Sequence, residues 1–258
     1  MSIHPTAIVD PQARLAPSVR VGPYAVVGAE VEIGEDTEVG AHAVIEGPIR
    51  IGRRNRIFPH AAVGLIPQDL KFKGERSEVI IGDDNRVREF VTIHRGTEGG
   101  GAVTRLGSHN LIMAYSHIAH DCQIGDHCIL GNAATLAGHV VIEDWAIVGA
   151  HSGVHQFCRI GRHAFIGGYT VITQDVLPFS STVQERDTRV YGINLVGLRR
   201  RGFDRERLER LQRAFRLLTQ ANLNTSQALE QIRASLNQNE DIEALVRFVE
   251  TSERGIIK

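Results

Sequence analysis

A six-residue repeat of large aliphatic residues is the feature that most restricts the fold of this chain. No helix or hairpin has this period, but in a parallel β-helix each short strand buries one large and one small side chain and then turns a corner. Three such hexads close one coil of 18 residues, so that residues 18 apart stack about 4.8 Å from one another. The repeat runs without a slip through Leu106, Ile112, Ile118, Ile124, Leu130, Leu136, Ile142, Val148, Val154, Ile160, Ile166 and Ile172.

The same repeat begins at the N-terminus and is interrupted twice. Its early members run from Ile3 to Val63, and prolines recur every six residues in a corner position, where a missing N–H costs nothing. The interruptions fall at 64–79 and 94–105. Insertions in a solenoid collect on its binding face. We therefore predict a β-helix over residues 1–183 whose two loops are candidates for the functional site.

A helical period replaces the six-residue repeat in the last quarter of the chain. Residues 177–195 show no clear period, and we interpret them as a connection. With this connection, residues 184–258 are predicted to form a small C-terminal α-helical domain. Three helices are predicted: one from about Phe203 with Asp204 as N-cap, one from about Thr225 with Asn224 as N-cap, and one around 242–251.

Composition narrows the class of protein. The 258 residues are 42% hydrophobic but only 5% aromatic, which suits a narrow prism filled with aliphatic side chains. A net charge of −1 argues against nucleic acid as a partner. There is no apolar run of 18 residues and no recognisable signal peptide, so we expect a soluble, cytoplasmic protein without stable membrane insertion. Cys122, Cys128 and Cys158 occupy the small inward position and are expected to be buried.

Arginines are concentrated where the repeat gives way to the helices. Eight of them lie between Arg199 and Arg216. The later ones fit a solvated helix face with pairs four residues apart. Arg199, Arg200 and Arg201 are predicted to precede the first helix on a connecting segment, where guanidinium groups are free to bind a phosphate or an acidic partner.

Histidines gather along one wall of the predicted solenoid. His117 and His155 lie near this wall. The 18-residue stacking places two columns side by side: His120, Gly138, Gln156 and Gln174 in one, and Asp121, His139, Phe157 and Asp175 in the other. Unlike polar groups stacked in this way are typical of a functional site.

Two chemistries can use such a cluster. In the first, a neutral imidazole acts as general base on a hydroxyl group, Asp121 orients it, and a backbone N–H such as that of Gly138 binds the oxyanion. In the second, His117, His120 and His139 bind zinc and activate water, as in the trimeric β-helical carbonic anhydrases. The spacing alone leaves both open.

Six motifs together resemble one family. They are QDLK at 68–71, TIHRGT at 92–97, HIAHD at 117–121, TLAGH at 135–139, VHQFC at 154–158 and RRG at 200–202. In this combination the chain resembles, over nearly its whole length, the UDP-N-acetylglucosamine O-acyltransferases that open lipid A biosynthesis. The resemblance implies a left-handed parallel β-helix and a homotrimer with active sites between subunits.

The same resemblance implies an activity. A (R)-3-hydroxyacyl group would pass from the phosphopantetheine of acyl carrier protein to the 3-hydroxyl group of UDP-N-acetylglucosamine. His120 would be the general base, Asp121 its support and the N–H of Gly138 the oxyanion donor. A thioester is already activated, so no metal or other cofactor is expected.

Binding residues follow from the matching motifs as well. Gly168 aligns with a position that helps to set acyl length, and a glycine there predicts a long chain such as 3-hydroxymyristoyl. The implied nucleotide contacts are Asn194 and Arg201, and Arg200 is a further substrate-binding candidate. The implied contacts with sugar, phosphate or acyl donor are Asp69, Lys71, His117, His139, His155 and Gln156.

The chain departs from the family pattern on the nucleotide and sugar side. Residues 185–188 replace a GNPA-like segment, Val196 stands at the position of a glutamate, and His151 stands where an uncharged residue is common. These changes leave two acceptors open, UDP-N-acetylglucosamine and its 3-amino analogue. The alternatives from other classes are a zinc-dependent hydratase of the carbonic anhydrase type and a β-helix that only binds or scaffolds.

Overall fold

The computed structural model shows a triangular parallel β-helix followed by a group of helices, and it describes residues 2–184, 188–219, 223–236 and 239–257. The strands up to the second loop are β1 (Ser2–Ile3), β2 (Ile8–Val9), β3 (Arg14–Leu15), β4 (Arg20–Val21), β5 (Val26–Val27), β6 (Val31–Ile33), β7 (Glu38–Val39), β8 (Val44–Ile45), β9 (Ile49–Ile51), β10 (Arg56–Ile57), β11 (Ala62–Leu65), β12 (Glu78–Ile81), β13 (Arg86–Val87) and β14 (Thr92–His94). The later strands are β15 (Val103–Leu106), β16 (Leu111–Ile112), β17 (His117–Ile118), β18 (Gln123–Ile124), β19 (Ile129–Leu130), β20 (Thr135–Leu136), β21 (Val141–Ile142), β22 (Ile147–Val148), β23 (Gly153–Val154), β24 (Arg159–Ile160), β25 (Phe165–Ile166), β26 (Val171–Ile172), β27 (Ser180–Gln184) and β28 (Thr188–Ile193).

Hydrogen bonds join these strands into three sheets, one for each face of the prism. Sheet A has the order β1-β4-β7-β10-β13-β16-β19-β22-β25-β27-β28, sheet B the order β2-β5-β8-β11-β14-β17-β20-β23-β26, and sheet C the order β24-β21-β18-β15-β12-β9-β6-β3. Away from the loops, residues 18 apart are partners, as His117 is with Thr135 and Ile118 with Leu136. The stacking predicted from the sequence repeat is therefore confirmed.

The large members of the repeat fill the core of the prism. From Leu106 to Ile172, each of them is at most 4% exposed. The three cysteines are free thiols and fully buried, as predicted. Burial of one such aliphatic side chain contributes about 1.5–3 kcal/mol. The row of inward residues is thus the main source of stability of the β-helix.

Each coil turns three corners, and each corner is called A–B, B–C or C–A after the sheets that it joins. The third residue after a strand usually has a left-handed backbone, as Asp121 (φ 62°) and His139 (φ 63°) do. This conformation costs roughly 1–2 kcal/mol for a residue with a Cβ. Side chains at these positions stack on one another, as His139 does on Phe157 with ring centroids 4.4 Å apart, and stacking offsets part of that cost.

Both loops leave the β-helix at the B–C corner. The first connects β11 to β12, and the second connects β14 to β15 and contains a 3₁₀ helix at Glu98–Gly100. Strand β12 pairs with both β9 and β15, so the coil resumes its register after each loop. The corner between β17 and β18, which contains His120 and Asp121, follows one coil later on the same edge.

The segment after the β-helix contains more regular structure than the sequence predicted. Residues 177–195 are not merely a connection, since β27 and β28 pair there as an antiparallel hairpin. In the part of the chain that the structure describes, four helices follow: α1 (Leu195–Arg200), α2 (Arg205–Thr219), α3 (Thr225–Ser235) and α4 (Glu240–Glu250). The side chain of Asp204 accepts a hydrogen bond from the N–H of Arg207 at 2.8 Å, and Asn224 forms a capping box with Gln227. Both predicted N-caps are therefore confirmed.

The helices pack on the last coils of the prism through a second apolar cluster. Leu177 and Phe179 from the β-helix end meet Leu198, Phe203 and the inward residues of α2, α3 and α4. Within the described ranges, no helix is long and apolar enough to cross a membrane.

Candidate active site

His120 and Asp121 form a hydrogen-bonded pair at the B–C corner. Nδ1 of His120 lies 2.8 Å from Oδ2 of Asp121. The side chain of Asp121 is fully buried, whereas that of His120 is 16% exposed. Because a carboxylate only accepts hydrogen bonds, Nδ1 carries the proton, and Nε2 of the neutral ring is left as the basic nitrogen.

The second loop supplies the remaining donors to the Asp121 carboxylate. The backbone N–H of Thr97 donates to Oδ1 and Oδ2 at 2.9 and 3.1 Å. The hydroxyl group of Thr97 donates to Oδ2 at 2.6 Å. Sequence reasoning missed Thr97, because only the path of the loop brings it to this carboxylate.

Gly138 lies against the ring of His120, one coil further along. A Cβ at position 138 would lie 2.5 Å from Cε1 and 2.7 Å from Nε2 of His120. The N–H of Gly138 has no hydrogen-bond partner in the described part of the chain. It occupies the corner position that prolines fill in the first coils, where the turn leaves this N–H unpaired. A free N–H beside a basic imidazole fits an oxyanion hole.

His139 extends the same edge. Its ring meets that of His120 edge-on, with centroids 5.1 Å apart and planes at 88°. Its Nε2 lies 3.9 Å from Oδ2 of Asp121. Burial lowers the pKa of His139, although the charge of Asp121 opposes the shift. The imidazole of His139 is therefore neutral near pH 7 and can donate or accept one hydrogen bond at each nitrogen.

His117 lies on sheet B, close to the corner. Its Nδ1 is 2.7 Å from the hydroxyl oxygen of Thr92, and its ring meets that of His94 edge-on at 5.1 Å. Burial lowers the pKa of both histidines, to about 4 for His94. His94 was not among the predicted site residues. His94 follows the inward Ile93 in β14 and pairs with Leu65 of β11 after a register shift between the two strands, and both His94 and Ile93 are buried.

His155 and Gln156 lie at the same corner, one coil beyond Gly138. Both side chains are exposed. Nδ1 of His155 is 3.1 Å from the carbonyl oxygen of Gln156. Among the residues that the structure describes, the side-chain amide of Gln156 has no partner, so it is available to a ligand.

The two loops form a cleft beside His139. Its volume is about 670 Å³, and Asp69 and Lys71 line it together with Lys73, Thr97 and His139. Asp69 shapes the first loop by accepting the N–H of Lys71 at 3.0 Å. The structure thus brings Asp69 and Lys71 to the edge that carries the histidines. The wall of the cleft carries charges of both signs, with Lys71 and Lys73 beside Asp69, Glu75 and Glu98.

Other predicted residues lie at different corners of the chain. Gly168 is at the A–B corner, between β25 and β26. Asn194 lies against the C–A corner, where its Nδ2 donates to the carbonyl oxygen of His163 at 3.1 Å. Its Oδ1 accepts the N–H of Gly197 at 3.1 Å and so caps helix α1. Within one chain, neither Gly168 nor Asn194 meets His120.

Arg201 lies over Trp145, also at the C–A corner. Its Nη2 donates to the carbonyl oxygen of Trp145 at 2.9 Å, and its guanidinium carbon is 5.3 Å from the ring centroid. Its Nη1 is buried and has no partner among the described residues. Arg199 and Arg200 precede the helix predicted from about Phe203, but they belong to helix α1, so the expectation that they lie on a connecting segment was wrong. Six residues that include a glycine are too few to show a helical period.

The predicted departure from the family at 185–187 lies outside the described residues.

The zinc hypothesis named three histidines, but the structure presents a different group. In the described ranges, the group that could hold a metal ion is His120, Asp121 and His139, whose ligand atoms lie within 4.8 Å of one another. His117 is not part of it. A metal bound to Asp121 would also have to displace the donors from His120 and Thr97 that already fill the carboxylate.

Two family models and several proteins of known name match this chain. The family model described as Udp N-acetylglucosamine O-acyltransferase, domain 2, matches residues 175–257, and the bacterial transferase hexapeptide model matches residues 104–138. The acyl-[acyl-carrier-protein]--UDP-N-acetylglucosamine O-acyltransferase of Xylella fastidiosa is 50% identical to the chain over 256 residues, covering 99% of this chain and 97% of the relative. The enzyme of the same name from Halorhodospira halophila is also 50% identical and is covered to 99%.

Solved structures agree with these relatives. The UDP-N-acetylglucosamine acyltransferase of Bacteroides fragilis matches with a TM-score of 0.97 at 42% identity, with 99% of both chains covered. This likeness confirms the left-handed β-helix with a small helical C-terminus. Because sequence identity and fold agree over the whole chain, the chain belongs to the family of acyl-[acyl-carrier-protein]--UDP-N-acetylglucosamine O-acyltransferases.

Proposed function

We propose that this protein transfers a (R)-3-hydroxyacyl group from acyl carrier protein to the 3-hydroxyl group of UDP-N-acetylglucosamine, the first step of lipid A biosynthesis. The observation that carries the proposal is the pair of His120 and buried Asp121 beside the free N–H of Gly138. Relatives at 50% identity over the whole chain carry the name of this activity, which supports the choice of donor and acceptor. We place the reaction in the cytoplasm.

In this proposal, His120 is the general base. Its Nε2 takes the proton of the acceptor hydroxyl group as the oxygen attacks the thioester carbonyl and the new C–O bond forms. The N–H of Gly138 donates to the resulting oxyanion. When the C–S bond breaks, the imidazolium returns the proton to the departing thiolate of phosphopantetheine, and Asp121 stabilises the imidazolium between the two steps. A thioester needs neither a metal nor a redox cofactor for this transfer.

We further propose that the working unit is a homotrimer with its sites between subunits. The base lies at the B–C corner of the chain, whereas Arg201 and Asn194 lie at the C–A corner. Packing three prisms side by side around a threefold axis brings unlike corners of neighbouring chains together. The site would then take its base from one subunit and its nucleotide contacts from the next.

The charges and hydrogen bonds at the C–A corner support the proposed nucleotide contacts. The unpartnered, buried Nη1 of Arg201 suits a phosphate oxygen, and the exposed Arg200 on α1 adds a second guanidinium group. Asn194 keeps one amide N–H beyond its two bonds inside the chain. On the facing edge, the remaining proposed contacts with sugar, phosphate and acyl donor are Asp69, Lys71, His117, His139, His155 and Gln156.

A long acyl chain such as 3-hydroxymyristoyl is proposed from Gly168. A Cβ at this position would meet only the backbone of Ala150, with its oxygen at 3.1 Å, so the space beyond is open. Transfer should therefore be faster from 3-hydroxymyristoyl than from 3-hydroxydecanoyl carrier protein, and Gly168→Met should reverse the preference. Equal rates from both donors in the unaltered protein would contradict the assignment.

The acceptor is tested by running UDP-N-acetylglucosamine and its 3-amino analogue side by side. The names of the relatives favour the hydroxyl acceptor. The 3-amino alternative is motivated by Val196, which is 61% exposed where a family glutamate stands. A higher kcat/KM for the amino sugar would transfer the assignment to that acceptor.

The central experiment compares the unaltered enzyme with His120→Ala in the presence of a metal chelator. Loss of a general base should lower kcat by roughly two to four orders of magnitude. His4→Ala is the matched control, because His4 is exposed in the first coil and, among the described residues, its ring bonds only to Thr6. Chelator-sensitive activity, or a His120→Ala variant as active as the control, would overturn the proposed mechanism.

Mixed trimers test the shared site. His120→Ala and Arg201→Ala subunits are each expected to be nearly inactive alone. After unfolding and refolding together, a trimer with both kinds of subunit contains one interface that carries His120 from one chain and Arg201 from the next. Activity should return on mixing, whereas a site made within one chain would stay inactive.

A further inference from the structure

We infer that Thr97 is a positioning residue of the proposed reaction, because its hydroxyl group fixes the orientation of the Asp121 carboxylate against His120. The inference rests on the proposed function, which assigns the general base to His120. It concerns the second loop, whose glycine-rich sequence returns to the catalytic pair.

Oδ2 of Asp121 is shared by two side-chain donors. Nδ1 of His120 lies at 2.8 Å and the hydroxyl oxygen of Thr97 at 2.6 Å from it. The N–H of Thr97 holds Oδ1 at 2.9 Å, so one residue grips both oxygens. The Asp121 side chain is fully buried, and water does not substitute for a donor that is removed.

The local structure of the loop directs this hydroxyl group away from its ordinary use. Thr97 is the N-cap of the 3₁₀ helix at Glu98–Gly100, yet its side chain makes no capping hydrogen bond. A threonine at an N-cap normally accepts an N–H of the first turn. Here the hydroxyl group donates to Asp121 instead.

Two glycines allow the loop to come this close. A Cβ at Gly100 would lie 2.1 Å from Cγ of Asp121, and one at Gly96 would lie 2.7 Å from Oδ1. The loop is also tied to itself, since the carbonyl oxygen of Thr97 accepts the N–H groups of Gly100 at 3.0 Å and Ala102 at 2.8 Å. The loop therefore forms a fixed cradle around the carboxylate.

The surroundings of the pair define what else titrates there. His117 lies beside it in the same coil, and His94 and His139 lie in the neighbouring coils. Burial lowers the pKa of all three histidines below its usual value. The charged groups of the cleft are Asp69, Lys71, Lys73, Glu75 and Glu98. None of these changes when only the hydroxyl group of Thr97 is removed.

Removing that hydroxyl group has two consequences. The carboxylate loses one restraint on its orientation, so the imidazole is held less well for proton transfer. Without the hydroxyl group, Oδ2 also has one hydrogen-bond donor fewer and interacts more strongly with the imidazolium form of His120. This interaction stabilises the imidazolium and raises the pKa of His120. A residue that only held the loop in place would leave the pKa of His120 unchanged.

The test uses Thr97→Val, Thr97→Ser and the control Thr182→Val. Thr182 is a buried threonine of β27 whose hydroxyl oxygen has no partner in the described part of the chain, so its replacement should change neither activity nor fold. In Thr97→Val, kcat/KM at pH 7 should fall about three- to tenfold, which corresponds to the loss of one hydrogen bond. The KM for the UDP-sugar should stay within about twofold, and Thr97→Ser should restore most of the activity.

The second readout does not depend on turnover. The ring signal of His120 in ¹³C-histidine-labelled protein is assigned by its absence in His120→Ala and is titrated in each variant. The pKa of His120 should be higher in Thr97→Val by roughly half a unit or more and should return in Thr97→Ser.

The outcomes distinguish a failure of the role of Thr97 from a failure of the proposed function. An unchanged or lower pKa of His120 in Thr97→Val would overturn the role of Thr97 even if the enzyme is active. A raised pKa in a protein that transfers no acyl group would leave the contact in place and overturn the proposed function instead.

Discussion

The imidazole ring of His120 covers the α-carbon of Gly138, so that even a methyl group at position 138 would lie 2.5 Å from the ring. The two residues are one coil apart in the column that the sequence repeat defines. A single position without a side chain thus serves two purposes, because it makes room for the proposed base and presents a free N–H next to it.

Gly138→Ala should therefore displace His120. We expect kcat to fall roughly 100-fold, since misplacing a general base removes most of its contribution. Gly28→Ala is the control, because a Cβ there would meet its nearest atom at 3.5 Å, an ordinary contact. Activity of Gly138→Ala equal to that of the control would show that His120 is not needed where the structure places it.

Of two adjacent glycines in the second loop, only one should be sensitive to substitution by alanine. A Cβ at Gly100 would strike the Asp121 carboxylate at 2.1 Å, whereas one at Gly99 would meet nothing within 4 Å. Gly100→Ala should lower the free energy of unfolding by about 1–3 kcal/mol and change the pKa of His120. Gly99→Ala should change neither quantity, and the measurements are chemical unfolding and histidine NMR. Equal effects of the two variants would contradict the cradle.

Stability should fall as the pH is lowered from 6.5 towards 4. Burial lowers the pKa of His94 and of His163 to about 4, well below the ordinary value of 6.5. Below pH 6.5 the unfolded chain takes up protons that the folded chain does not, and each histidine then costs at most roughly 3 kcal/mol. Above pH 6.5 both states are neutral and the full stability is present.

His163→Phe isolates one of these contributions. His163 lies between Trp145 and Phe179, so a phenylalanine ring fits its stack. The slope of unfolding free energy against pH, measured at constant protein concentration, should become shallower in this variant. His42→Phe, at an exposed position in another ring stack, should keep the original slope. An unchanged slope in His163→Phe would refute the assignment.

The three thiols should be inert in the folded protein. Burial raises the pKa of Cys122 and Cys128 to about 12 and that of Cys158 to about 11. Because the thiolate is the reactive form, Ellman's reagent at pH 8 should label none of them until denaturant is added, after which all three should react. Rapid labelling of any thiol without denaturant would contradict this burial.

Much of the fold can be read from the sequence because the solenoid repeats one local rule. Each hexad places one aliphatic residue inward, and the 18-residue stacking then predicts which corner residues become neighbours. His120, Gly138 and Gln156 were placed in one column on that basis, and the register confirms the stacking. The caps at Asp204 and Asn224 were equally local, since each depends on residues within one helical turn.

The features that were missed depend on contacts that no local pattern encodes. Helix α1 is held by Asn194, whose amide is fixed by the carbonyl oxygen of His163, 31 residues away in sequence. Thr97 reaches Asp121 only because the loop folds back, and the buried His94 lies where β11 and β14 pair irregularly. The sequence identified both loops as candidates for the site but not which of their residues returns to it.

Both loops interrupt the prism at one edge and rejoin the ladder in register. The core therefore does not depend on how many residues either loop contains, and the other two edges stay regular beside it. The loops at this edge are consequently free to change in length and sequence, while the three faces keep the six-residue repeat. The two loops can therefore vary without altering the repeat that folds the prism.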